Sequence, residues 1–381
     1  MISNAELSES RDLALEWILR DQITEQSSPD YGAYWAAYFP GVREYHEPYM
    51  ETAAFTLQTL AKFYLRTGDE RILRSINLCV NEWMRSRLQY RGQSFFPQFY
   101  PRFDNNAHRA LKHNSYTPVF FMFDNGEAVR GIVYTYDASK DPAQIQLASE
   151  IADWLTGVMQ NPDGSFKTNY DLFYGKFNTY PDVKPVYHAR VAWSLLELWR
   201  RTGIEQARDD AIRALDYVGT QQHENGWFET IGGVSEYLMY AAEGLYYSGR
   251  ILGNALYTER ATKTIKAFMV APHMNKGHLH GSYDEKWQPT STNGSFNSVD
   301  GQLAVMCYNL YSDNGDVDFL EEGDSCLEWL IRQQDRISND GGMHGGIPNA
   351  IGETAWHTRY PIWTVKYLID AIDLRLQLKS K

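Results

Sequence analysis

Two hydrophobic patterns alternate along the chain. From Glu70 to Leu88, Ile72, Leu73, Ile76, Val80, Trp83 and Met84 fall on one helical stripe, with Arg71, Arg74, Asn77, Asn81 and Arg85 opposite. That is a helix with one wet face. From Thr52 to Leu65, Ala53, Ala54, Phe55, Leu57, Leu60, Ala61, Phe63 and Tyr64 leave almost no polar side, as in a helix enclosed by neighbours. The first pattern predicts outer helices at roughly 5–22, 70–88, 142–159, 205–222, 255–270 and 317–335. The second predicts inner helices at roughly 50–66, 124–137, 187–202, 235–249, 298–311 and 354–374. Twelve helices pair into six hairpins.

The links come in two lengths. From inner to outer they are short, and Arg66-Thr67-Gly68-Asp69, Arg201-Thr202-Gly203 and Ser312-Asp313-Asn314-Gly315 carry the Gly expected just past a helix end. From outer to inner they are long and share a signature, fullest from Trp154 to Phe166: an aromatic, then Gln160, then the turn Asn161-Pro162-Asp163-Gly164 and an aromatic. Copies run from Trp83 through Gln89 to Gly92, from Tyr217 through Gln222 to Gly226, and from Trp329 through Gln334 to Asp340-Gly341-Gly342, with weaker ones at Trp17 and Phe268. Recurrence every 51 to 71 residues predicts a repeat architecture. The long links therefore gather at the N-termini of the inner helices and hold most of the chemistry. Strand-like pieces at Phe95–Phe99 and Thr117–Phe121 suit short hairpins within them.

Composition sharpens this picture. Aromatic residues make up 14% of the 381 residues, as 26 Tyr, 17 Phe and 11 Trp, enough to line a wide cavity. A formal charge of −12 argues against a nucleic-acid partner, which needs clustered Lys and Arg. Cys79, Cys307 and Cys326 are too few and scattered for a disulfide framework or a cysteine zinc site. The start, Met1-Ile2-Ser3-Asn4, has no signal-peptide pattern and no stretch suits a membrane span, so the expected location is cytoplasmic.

Six hairpins with aromatic, Gly-rich links resemble the (α/α)6 toroid enzymes that act on carbohydrates. Residues Tyr187-His188-Ala189-Arg190-Val191-Ala192-Trp193 resemble an inner-helix start of unsaturated glucuronyl hydrolases, without its Gly-Gln pair. Phe123-Asp124-Asn125-Gly126 resembles the place where those enzymes carry a catalytic Asp. The repeat also resembles that of squalene cyclases and protein prenyltransferases. The cyclase acid motif is incomplete in Asp316-Val317-Asp318-Phe319, however, and no Cys lies in a signature link to help hold a prenyltransferase zinc. The resemblance implies an all-α fold, a single (α/α)6 toroid over residues 1–381 with inner and outer helix rings.

Carboxylates cluster at inner-helix starts: Glu47, Glu51, Asp124, Glu127, Glu236, Asp300 and Glu353. Helix capping accounts for any one of them, whereas glycoside cleavage needs a carboxylic acid and a carboxylate across the bond. Asp124 and Asp300 are the preferred pair, each opening an apolar helix after a polar link, with His188 as a third catalytic candidate. For substrate binding the candidates are Tyr187, Arg190, Trp227, His280, Trp287, His344, Glu353, His357 and Arg359. Arg190 and Arg359 can hold a substrate carboxylate or pair with a capping acid, and the aromatics can stack on sugars or wedge hairpins apart. His278 and His280 lack an identifiable third ligand, so no metal and no cofactor is assigned. The function these features suggest is hydrolysis of a uronic-acid-containing oligosaccharide or polysaccharide. A polysaccharide lyase or uronyl C5-epimerase, an isoprenoid enzyme and a noncatalytic glycan-binding scaffold are the alternatives.

Overall fold

The computed structural model describes residues 2–87, 89–90, 93–94, 98–101, 103–104, 109–110, 116–171, 176–178, 185–290, 294–350 and 359–378. Among these, twelve long helices alternate between two rings. The outer ones are α1 (Asn4–Arg20), α3 (Glu70–Leu78, continuing as a π-helical turn through Met84), α5 (Pro142–Trp154, likewise through Met159), α7 (Glu205–Thr220), α9 (Ala255–Val270) and α11 (Val317–Gln333). The inner ones are α2 (Met50–Thr67), α4 (Met122–Ser139), α6 (Ala189–Thr202), α8 (Ser235–Leu252), α10 (Asn297–Asn314) and α12 (Ile362–Leu378). The last starts later than its hydrophobic pattern predicts. Proline disfavours a helical residue before it, and Tyr360–Pro361 instead pairs as a strand with Ala37 and Tyr38.

The two ends of the hairpins are built differently. At the short turns, Ser3, Asp69, Asp141, Asn254 and Asp316 each accept a backbone N–H at the start of an outer helix. Gly68, Gly203, Gly253 and Gly315 end four inner helices in the left-handed region. At the opposite face, α2, α4, α6, α8 and α10 start without a side-chain cap. Their first turns leave partial positive charge at the face where the long links meet.

Contacts run from each inner helix to the next. Arg130 of α4 reaches Gln58 of α2 and the Arg190 carbonyl of α6. Gly244 of α8 lies against the backbone of Ala189 at the head of α6. Asn309 of α10 donates to Tyr247 of α8, and Gln302 of α10 donates to Tyr367 of α12. Thr59 of α2 donates to Asp370 of α12, closing the inner ring. The three cysteines are buried free thiols.

The signature closes the outer ring. Gln22 donates to the Gly32 carbonyl of its own turn and to Ser75 of α3. Gln160 does the same with Gly164 and with Asp210 of α7. Gln222 reaches Arg260 and Thr264 of α9, and Gln334 joins Gly345 to Ser10 of α1, the sixth hairpin to the first. In the fifth joint His273 occupies the Gln place, bonded to the Phe268 carbonyl and 3.9 Å from Glu322 of α11. Each turn also seats a glycine on the next outer helix. Gly345 has φ of 95°, and a methyl group there would stand 2.5 Å from the Leu13 carbonyl oxygen. Gly345 therefore takes the seat that the sequence pattern suggests for Gly341 or Gly342.

The long links carry small sheets. Strands Gln98–Pro101, Tyr116–Phe121, Asn169–Asp171 and Lys176–Asn178 lie antiparallel in that order and tie the second link to the third. Ala37–Phe39 sits between Glu44–His46 and Tyr360–Pro361, tying the first link to the last.

Gly345→Ala meets both a left-handed backbone and a blocked seat, so it should lose about 2–5 kcal/mol of stability. Gly68→Ala, with nothing within 4 Å of the added carbon, should lose about 1–2 kcal/mol. Urea unfolding of the two variants checks the order, and equal losses would deny the seat its role.

Candidate active site

The first turns of α2, α4 and α8 bring Glu51, Asp124 and Glu236 to the face with the uncapped helix starts. Glu51, Glu236 and Tyr237 are only half-buried although they lie deep within the ring, as side chains around an open interior do. Burial raises the Glu51 carboxyl well above the ordinary carboxylate range, and the charges of Asp124, Glu127 and Glu236 push the same way against Arg190. Burial also raises Glu236, opposed by a hydrogen bond from Ser298 and by Arg359 and Arg190. One carboxyl thus has its proton affinity raised beside other carboxyls, the kind of environment that acid–base chemistry uses.

Arg359, just ahead of α12, is the cation of this face. Burial pulls its guanidinium down to about 9, countered by Tyr49, Glu236 and Glu51, and it stacks over Trp363 at 4.6 Å. His46 and Tyr49 share a hydrogen bond of 2.9 Å. Burial, then Arg359, takes His46 down to about 4, so its imidazole is neutral at physiological pH. Aromatic rings form the walls: Phe123 stacks on Tyr240 with centroids 5.1 Å apart, and Tyr187 on Tyr237 at 4.9 Å.

The floor is a buried ionic layer. Arg190 grips Glu127 with two nitrogens at 3.1 and 3.0 Å, Glu243 at 2.9 Å and the Tyr367 hydroxyl at 2.7 Å. Its guanidinium also lies over Phe55 and Tyr240. Arg130 joins Glu127 from the other side and stacks on Trp193 at 3.8 Å. Desolvated ions need this density of partners to stay inside.

On the side of the open interior, Asp124 and Arg359 both lie near Tyr49, and Tyr187 stacks on Tyr237. Arg190 lies beneath this interior, with nearly all its donors committed to Glu127, Glu243 and Tyr367, so the hydrogen bonds that the sequence suggests for a substrate carboxylate are already made. Asp300 does not join Asp124. It is fully buried, accepts from the Leu279 N–H at 2.9 Å and bonds His278 Nδ1 at 2.7 Å, which fastens the fifth long link to α10. His188 packs between Phe166 and Tyr187, with neither ring nitrogen hydrogen-bonded. Burial lowers it to about 3, so it stays neutral.

The remaining sequence candidates sit in the joints. Trp227 and Trp287 wedge two links together, donating to the Tyr283 and Asn225 carbonyls. His280 holds Ser235 at the head of α8 through its carbonyl, and the His344 carbonyl takes Arg20 of α1. Glu353 and His357 lie outside the described residues. Glu51 and Glu236 share the first-turn placement of Asp124, but their sequence surroundings do not distinguish them from Asp300. Tyr49, Tyr237 and Tyr240 carry no local signal either.

No protein-family model matches the chain, and no curated protein matches it in sequence. Solved structures match along nearly its whole length. The fold is an (α/α)6 toroid. An unsaturated glucuronyl hydrolase specific for heparin superposes with a TM-score of 0.75 at 12% identity, over 100% of this chain and 99% of that one. A cellobiose 2-epimerase from Spirochaeta thermophila gives 0.71 at 14%, over 98% and 97%. A D-mannose isomerase gives 0.74 at 11%, over 99% and 98%. Identities this low establish the toroid's architecture. No described helix is long and apolar enough to cross a membrane.

The floor and the wall respond oppositely to mutation. Arg190→Met strands Glu243 without its cation and leaves Glu127 with Arg130 alone, and should cost about 3–5 kcal/mol in chemical unfolding. Glu51→Gln should stabilise. The raised carboxyl favours the folded state only while protonated, so its stability is complete below the ordinary value of 4.5 and falls as pH rises toward the folded pKa. Glu51→Gln removes that loss, worth about 1.4 kcal/mol per unit of separation. Thermal melts should show the variant gaining at pH 7 and matching the parent near pH 4.

Proposed function

We propose that the chain is a carbohydrate-active enzyme that hydrolyses a glycosidic bond in a uronic-acid-containing oligosaccharide or polysaccharide. The observation that carries this reading is the placement of Glu51, its carboxyl raised by burial, among the inner-helix first turns that also hold Asp124 and Glu236. Glu51 gives its proton to the glycosidic oxygen as the carbon–oxygen bond breaks, and the ring carbon gains oxocarbenium character. Asp124 takes a proton from the attacking water, whose oxygen bonds that carbon; the products are a hemiacetal and an alcohol. Arg359 holds the substrate carboxylate, and Tyr187, Tyr237 and Phe123 supply faces for the sugar rings. The toroid neighbours support the substrate class, since they include glucuronyl hydrolases and sugar epimerases and isomerases. The charged groups of the cavity suit a sugar better than the dry bowl that an isoprenoid requires, and their convergence gives a noncatalytic scaffold no purpose.

The neutral His46–Tyr49 pair favours a second reading, in which a base removes a carbon-bound proton in an epimerase or lyase. The two readings part in heavy water. Hydrolysis releases reducing ends without deuterium at carbon, whereas epimerisation incorporates it and elimination yields an unsaturated sugar. On a panel of uronate oligosaccharides, Glu51→Gln and Asp124→Asn should each lose about 10²–10⁴-fold in kcat, with His46→Ala affected far less. Full activity in Asp124→Asn together with loss in His46→Ala would overturn the hydrolytic assignment.

A further inference from the structure

The opposite end of the toroid holds a second pocket, of about 330 Å³, among the last turns of the inner helices. Its roof is the ionic layer that floors the active cavity, since Arg190 and Glu243 line it. Four cations, Lys62, Arg66, Arg190 and Lys366, face three carboxylates, Glu243, Asp370 and Asp373. The carboxylates are taken: Lys366 bonds Asp370 at 2.8 Å, Arg66 and Arg11 hold Asp373, and Arg190 holds Glu243. Lys62 is half-buried, its ammonium 5.1 Å over the Tyr134 ring, and it adds a cation that these pairs do not balance. The Gln58 and Asn309 amides and the apolar sides of Leu65, Val305 and Leu374 complete the lining. Such a mixture of apolar wall and a few polar groups, at the small end of ligand-pocket volumes, suits a compact hydroxylated molecule.

We propose that this pocket is a second ligand site for a small anion of up to monosaccharide size, bound through Lys62 and Lys366. The anion is a carboxylate or a phosphate, and the site stands independently of the reaction assigned to the cavity.

Calorimetric titration of the full chain with D-glucuronate, with inorganic phosphate and with neutral D-glucose tests the site. Lys62→Met removes the cation, and Leu65→Trp, at a position 55% exposed, narrows the mouth without disturbing the core. Each should weaken one anion-binding event at least tenfold, with glucose giving no heat. Glucuronate lost and phosphate retained in Leu65→Trp would identify phosphate as the natural ligand chemistry, and loss of both the larger carboxylate. Arg359→Met reports separately on the cavity: glucuronate that it removes belongs to the other face and leaves this proposal standing. Anion binding unchanged in both Lys62→Met and Leu65→Trp, or no anion binding at millimolar concentration, overturns the site.

Discussion

Six helical hairpins enclose a cavity only if the last grips the first, and Gln334 supplies that grip. Its amide spans the Gly345 turn and the Ser10 carbonyl of α1, while Trp17 donates to Gly342 and Arg20 to His344 across the same seam. The contact is the one that Gln22 and Gln160 make between earlier hairpins, while Gln222 reaches its own turn through the Thr264 hydroxyl, which donates to the Gly226 carbonyl. A primary amide is suited to the task because one group donates twice to backbone carbonyls that would otherwise be buried unpaired. Ring closure is therefore one local interaction used again at the seam.

The joints also decide where chemistry can occur. Five of the six outer helices receive side-chain caps, whereas the inner helices α2, α4, α6, α8 and α10 open uncapped. Carboxyls in those first turns meet the helix dipole, which favours the anion, and burial, which opposes it. Burial prevails at Glu51 because Asp124 and Glu236 share the space. The arrangement costs stability at neutral pH, as a group kept ready to donate a proton must. Beneath it, Arg190 carries the opposite role: four hydrogen bonds to three partners hold it, and it lends the fold rigidity.

The two ends of the toroid are thus joined through one charged layer. Above it stand acids and aromatic walls; below it stand lysines and amides. Arg190 and Glu243 line the lower pocket, and the same Arg190 grips Glu127 beneath the acids.

Hydrophobic periodicity sufficed for the helices, their alternation and the polarity of the links, because a helix must show the environment of each face in its own residues. The repeated Trp, Gln and Gly likewise announced a joint wherever it occurred. Asp124 and Arg359 were legible from their place at helix starts as residues of the long-link face. Asp300 had the same local appearance, yet His278 and the Leu279 N–H claim it, and Arg190 looked like a substrate clamp although Glu127 and Glu243 lie waiting for it. Glu51 could not be ranked above its neighbours, since what raises its proton affinity comes from α4 and α8. Short-range pattern records burial and turning; the pairing of Arg190 with Glu127 and Glu243 joins residues 63 and 53 positions apart, and only closure of the ring brings them within reach of one another.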